Sequence, residues 1–523
     1  MSTVNSAAST IASTVASTTA SSNAALQEAA QSIISGSTGN SSMDVSSLVS
    51  ALVNAKIAGQ AATIATSQST DNTQISAFGT LSAALSALQA SLGTLSDGTT
   101  VNSFAATTSG TGITATAASG AVAGTYSLDV AQIAKAQVLT SKGYGATTAL
   151  ASGSATMTLS VNGQSTTISL NSSNSTVSGI AAAINSASNN PGVTASVVNG
   201  ADGAHLVLHA TTTGSTNGIT VGISDATAGD ALNNLAVTTT SGTTLTGKGS
   251  ATSTDLTANQ STIDNTTSWT QSTAAQDAYF TIDGTGVTSA SNTVTSALSG
   301  VTLSLSAASV DTTGSSPQTL TVAQNTTAQS NAINNFVTLY NTLVTTMGTL
   351  TSFSSTSSSQ GVLLGDSTLN LIQNQLATIV ATGVKNGNTT TSLASIGVSL
   401  GADGTLSIDS DTLNSALQNN QSTIATLFSS TNGVAEQLNT NIASYLSSTG
   451  AIATRTNALN ADLTSLTTKQ TNLTDYQTQL TSMYTAQFTA LNTLMATMNN
   501  NQQYLTQLFG GTNSAGALAT NKS

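Results

Sequence analysis

A chain of 523 residues is longer than one hydrophobic core sustains, so roughly three or four domains are expected. Only 5% of residues are charged and 3% aromatic, and the net charge is -12; the cations are seven scattered lysines and Arg455, too few and too dispersed to neutralise a run of phosphates, which argues against nucleic acid as a partner. Cysteine is absent, which removes disulfides, thiolate metal sites and cysteine nucleophiles together.

Residues 1–42 are rich in Ala, Ser, Thr and Asn, too poor in apolar content to repay ordering on their own, and read as a disordered tail. The first 35 residues carry no Lys or Arg, unlike a secretory signal peptide, so export without a cleaved signal is expected. No apolar run reaches the roughly 18 residues of a membrane span. At Ser42-Met43-Asp44-Val45, Asp44 is placed to cap a helix that carries Leu48, Val49, Leu52 and Val53. Ile57, Ile64, Phe78, Leu85 and Leu92 then share a seven-residue row, with Leu81, Leu88 and Leu95 beside it.

After Gly98 the period becomes alternating, with Tyr126, Leu128 and Val130 on one strand face. Met157 to Val161 and Gln164 to Leu170 alternate on either side of Asn162-Gly163, the preferred two-residue hairpin turn. A short helix bearing Val177, Ile180, Ala181 and Ile184 follows, ended by Pro191-Gly192, and strands return near Val193 to Val197 and Leu206 to Leu208. A second β block, Phe280 to Gly284 and Val301 to Leu305, is expected to pair with the strand at Tyr126, which makes 140–268 an insertion.

Helical periodicity resumes at Ile333, Phe336, Val337, Tyr340 and Val344, then at Leu369, Ile372, Leu376 and Ile379 behind a cap at Asp366. From Leu459 a coiled-coil seam runs through Leu466, Leu473 and Leu480, with Leu463, Tyr484, Leu491 and Met498 in the second row, Leu494 also on the expected interface, and Gln470, Gln477 and Gln487 at polar seam positions. Neither terminal stripe can be buried alone, so Ile57, Ile64, Phe78, Leu81, Leu85, Leu88, Leu92 and these C-terminal residues form the expected coiled-coil or oligomer interface.

Chemistry is sparse. His205 and His209 lie in a strand-like run, where residues four apart are separated by roughly 13 Å, too far for one metal. Asp403-Gly404 and Asp409-Ser410-Asp411 miss the spacing of a calcium loop and suit turns and caps. No Gly-x-Ser-x-Gly elbow sits between a strand and a helix as that nucleophile requires, and there is no phosphate loop, so no cofactor and no enzymatic activity are expected.

Several blocks in order resemble the bacterial flagellar filament cap family, hook-associated protein 2. They are Ser42-Met43-Asp44-Val45 with Leu48-Val49, Asn102-Ser103-Phe104, Gly124-Thr125-Tyr126 onward, Asp277 to Gly284, Phe336 to Asn341, Leu364-Gly365-Asp366, Ala394 to Val398 with Asp403-Gly404, and Gln487-Phe488. Gly59 stands where many members carry proline. The resemblance implies a ring-shaped homo-oligomer, extracellular at the distal tip of the filament, under which exported flagellin folds and inserts. It implies flagellin, hook–filament junction proteins, an export chaperone and the flagellar type III export apparatus as partners, with a possible adhesive role. Another axial flagellar protein or a secreted adhesin is the alternative. The fold expected is α+β and multidomain, with helical terminal segments and a helical-bundle domain bracketing nested β-rich domains. Its parts are a tail (1–42), an N-terminal coiled coil (43–75), a helical bundle (76–104 with 325–433), a β-rich domain (105–139 with 269–324), an inserted α+β domain (140–268) and a C-terminal coiled coil (434–523).

Overall fold

The computed structural model describes Gln27, which is helical, and residues 44–224, 226–245, 251–355, 360–386, 389–428 and 431–509. Apart from Gln27, the tail expected over 1–42 lies outside the described residues. The fold is α+β and multidomain, with long helices at the two ends and a β-rich middle. Two compact units divide it: residues 1–101 with 330–523, and residues 102–329.

In the first unit, Asp44 caps the helix Val45–Ser96 by accepting Ser47 N at 3.1 Å. That helix runs on unbroken past residue 75, so the limit expected there is a change of partner rather than a break in the backbone. One 18-residue window of it has mean hydropathy 1.3, long and apolar enough to cross a membrane by composition alone. Its lower half, Phe78, Leu81, Leu85, Leu88, Leu92 and Leu95, is buried in the core of a helical domain. The helices Thr326–Leu350, Ser367–Thr382, Ser410–Asn419, Gln421–Phe428 and Val434–Leu446 supply the other walls, among them Phe336, Ile372, Leu417, Phe428 and Ile442. Large side chains are scarce, and the core concentrates them: the Phe336 ring lies 6.1 Å from Tyr340 and 6.2 Å, edge-on, from Phe428. The hairpin of Val398–Leu400 and Leu406–Ile408 is tied down by Asn341, whose amide donates to Leu406 O (2.8 Å) and accepts Leu406 N (2.7 Å).

The second unit holds two β cores. A five-stranded sheet in the order Phe104–Thr108, Gln318–Gln324, Gly124–Gln132, Ala278–Ile282, Thr285–Ser289 faces a three-stranded sheet of Thr293–Leu298, Val301–Leu305 and Ile113–Ala117. Leu128, Val130, Phe280, Leu303 and Leu320 fill the space between. The strand at Tyr126 does pair with the Phe280 strand, Phe280 opposite Val130.

The inserted α+β part carries the hairpin Ala155–Val161 and Gln164–Leu170. Its turn residues Asn162 and Gly163 both hold positive φ, 48° and 77°, as a type I′ turn requires. The helix Val177–Ser186 packs Ile180 and Ile184 onto Met157, Leu206 and Leu208. It stops at Ser186, before Pro191, because Asn190 Nδ2 binds Ile184 O (2.9 Å) and Val193 O (2.7 Å) and so turns the chain early.

The strands Val138–Ser141 and Trp269–Thr273 pair into the insert's own four-stranded sheet, and Leu139 and Trp269 belong to its core. The chain therefore enters the insert before residue 140 and leaves it after residue 268, because period-2 patterning marks strands without saying which sheet takes them. The junction between the two β cores is polar. Gln132 Nε2 donates to Asn259 Oδ1 (2.9 Å) and Asp277 O (2.8 Å), while Asn259, fully buried, also accepts Asp277 N (3.0 Å) and donates to Thr243 O (3.0 Å).

Candidate functional site

The two long terminal helices, Val45–Ser96 and Ala451–Phe509, lie side by side. The last helix has few charges with which to stabilise itself. Its threonines return their hydroxyls to the carbonyl four residues back, as in Thr464 to Asn460 O (2.9 Å) and Thr474 to Gln470 O (3.0 Å), which satisfies them without a partner. That leaves the apolar stripe as the feature that specifies pairing.

The sequence-predicted interface residues fall into three groups. Phe78, Leu81, Leu85, Leu88, Leu92 and Leu459 are at most 2% exposed within the chain's own helical core, so they are not open to a second copy. Ile57 and Leu480, with Val49 and Val53, make the buried seam between the terminal helices, flanked by half-buried Leu473, Tyr484 and Phe488. Leu466 is buried, whereas Leu463 and Ile64 are half-buried on the same stretch. Leu491, Leu494 and Met498 are exposed at 43%, 57% and 63%, because the first helix begins at Val45, one turn before the Leu48 that packs with Phe488, and the described part of that helix extends no further.

Gln487, predicted on the seam, is exposed, and Phe488 takes its place. The contact row steps from Leu480 to Tyr484 to Phe488, two successive steps of four. A straight helix of about 3.6 residues per turn drifts off a strict heptad in this way. Gln470, exposed, bonds across to Gln68 at 3.2 Å, and Gln477 is half-buried beside Ile57. Around Ile64 and Leu473 the packing is thin: one flank opens into a groove of about 950 Å³ that includes Lys56, Gly59, Lys469 and Tyr476, and the other into a smaller one of about 180 Å³. A Cβ at Gly59 would touch nothing within 4 Å, so this glycine is not required by close approach.

Arg455, unnoticed by periodicity, anchors the root of the seam. Its Nε donates to Asp366 Oδ2 at 3.1 Å and its guanidinium reaches Gln74 Oε1 at 3.5 Å, which links the last helix to the first and to Ser367–Thr382. Asp366 also caps that helix through Thr368 N (2.9 Å) and Leu369 N (3.2 Å), so one carboxylate serves both. A sequence signal existed, since Arg455 is the single arginine, but its partners lie far away in the chain. Nearby, burial and then the charge of Asp462 raise the Asp71 carboxyl above its usual value, opposed by Arg455.

The His205, Asp403 and Asp409 side chains have structural duties. His205 and His209 share the strand Gly203–Ala210. His205 Nδ1 faces Ser141 O (2.7 Å) and Nε2 faces Asp202 Oδ1 (2.8 Å), two acceptors that call for two N–H groups and raise its pKa, the Ser141 carbonyl first. Asp403 accepts Thr405 N (3.0 Å) in a turn, and Asp409 caps Ser410–Asn419 through Thr412 N (3.0 Å). Among the described residues no three metal-ligating side chains converge.

The paired terminal helices close on each other and leave apolar residues exposed at their free end, with a helical domain and β domains between them in the chain, an architecture of the structural, self-associating kind. Residues 41–137 match the family described as Flagellar hook-associated protein 2 N-terminus, and residues 275–500 match Flagellar hook-associated protein 2 C-terminus. Residues 156–212, within the insert, match the Flagellin hook IN motif. The chain is 36% identical to the flagellar hook-associated protein 2 of Escherichia coli O157:H7 over 86% of this chain and 94% of that one. It is 28% identical to the B-type flagellar hook-associated protein 2 of Pseudomonas aeruginosa over 86% and 92%. The crystal structure of the D1-D2-D3 domains of the Escherichia coli flagellar cap protein FliD is similar, with a TM-score of 0.58 and 32% identity, covering 73% of this chain and 99% of that one. The chain belongs to the flagellar hook-associated protein 2 family.

Proposed function

We propose that this chain is a filament cap: a self-associating structural protein at the distal, extracellular tip of the flagellum that promotes folding and insertion of exported flagellin. The observation that carries the reading is the terminal helix pair, whose flanking grooves stay open among the described residues. Flagellin and the hook–filament junction proteins are the partners, and an export chaperone with the type III export apparatus delivers the chain unfolded. The composition supports that route: with no cysteine and marginal seams, the chain can be threaded and refolded without redox chemistry.

Deletion of the gene is the test, with cell-attached filaments counted and flagellin assayed in the medium. Hooks without filaments, together with monomeric flagellin in the medium, are expected. Normal filaments would overturn the cap reading and leave the adhesin as its replacement.

A further inference from the structure

The free end of the last helix is an apolar face without a described partner. From Phe488 to Phe509 it extends roughly 30 Å, at about 1.5 Å per residue, past the start of the first helix. Leu491, Leu494, Met498 and Leu505 are 43–63% exposed along it, and residues 489–508 hold no charged side chain. Such a stripe is a binding face.

We propose that its occupant is the chain's own N-terminal extension, with residues 23–34 docking on the stripe as a helix. The extension ends at the right place: Asp44 caps a helix whose first turns pack on Phe488 through Leu48 and Ala51, and Phe488 lies three residues before Leu491. Because the first helix runs antiparallel to the last, the chain upstream of Asp44 starts out alongside the uncovered turns. Nine residues, 35–43, separate that docking segment from Asp44 and can span at most about 30 Å, enough for any point on the stripe.

Leu26, Ala30 and Ile33 recur at i, i+4 and i+7, a stripe suited to helix pairing, and twelve residues of helix measure about 18 Å against about 21 Å from Leu491 to Leu505. Within residues 23–34 the single charge is Glu28, so the two faces share an uncharged character. The family match begins at residue 41, so the extension is an addition upstream of the matched part. A segment too apolar-poor to fold alone gains its missing core from the stripe. The inference does not depend on the cap reading.

Hydrogen exchange of the purified full chain, measured by peptide mass spectrometry at two protein concentrations, tests it. Amides of residues 491–505 are expected to exchange at least about tenfold more slowly in the full chain than in a variant lacking residues 2–40. Equal exchange in the two would overturn the proposal. The Leu26→Asp/Ile33→Asp variant of the full chain, which leaves every described core residue untouched, is expected to match the deletion; retained protection there would overturn it. Protection that falls on dilution would identify a second copy as the occupant and overturn it as well.

Discussion

The Arg455–Asp366 pair makes a sharp prediction because one carboxylate has two separable roles. Asp366→Ala removes a cap accepting two backbone N–H groups, about 1 kcal/mol, and the ion pair to a part-exposed Arg455, about 1 kcal/mol more. Asp366→Asn keeps a cap acceptor and loses only the pair, so it should cost about 1 kcal/mol, as should Arg455→Met. The double variant Asp366→Asn/Arg455→Met should then cost little more than either single change, with a coupling of about 1 kcal/mol. Urea unfolding with two probes reads this out. The helical far-ultraviolet signal reports mainly the first unit, while Trp269, the single tryptophan, reports the inserted domain. The helical transition should move and the Trp269 transition should stay. If Asp366→Asn costs as much as Asp366→Ala, or the two single changes simply add, the assigned geometry is wrong.

Leu480→Ala should destabilise the terminal helices by about 2 kcal/mol in a thermal melt. Asn259→Ala leaves Gln132 Nε2, Asp277 N and Thr243 O short of a buried partner and should cost about 2–4 kcal/mol, read from Trp269 fluorescence in urea. His205 has a raised pKa in the folded state, so its stabilisation is complete below the ordinary value of 6.5 and is lost as pH climbs through the higher folded value. The Trp269 midpoint should therefore fall slightly from pH 6 to 8, by less than about 1 kcal/mol, and His205→Asn should flatten that slope. Gly59→Ala, in open space within a helix, should raise the helical midpoint by up to about 1 kcal/mol, and a drop would show that the groove needs the glycine.

Local chemistry was legible where a few adjacent residues decide it. The Asn162-Gly163 turn forms because only such residues take two successive positive φ values cheaply, and Asp44, Asp366 and Asp409 cap helices because a short carboxylate reaches the next free N–H groups. The strand environment of His205 and His209 was readable from their neighbours in the same way. What failed was longer in range. Pro191 looked like the helix stop, yet Asn190 acts first through carbonyls on both of its sides. The strands Val138–Ser141 and Trp269–Thr273 alternate like any others, and only pairing shows which sheet takes them.

By itself, then, the sequence determined which segments become helix or strand, where they turn, and that two apolar stripes at opposite ends need cover, since these follow from side-chain period and from contacts within a few residues. Tertiary structure decided what covers each part of a stripe. The two apolar stripes enter a core at Leu85, a seam at Ile57 and solvent at Met498, because neighbours supplied from hundreds of residues away end at different points along the two helices. It also decided that a single arginine would join three helices through Asp366 and Gln74, a meeting that no local pattern encodes.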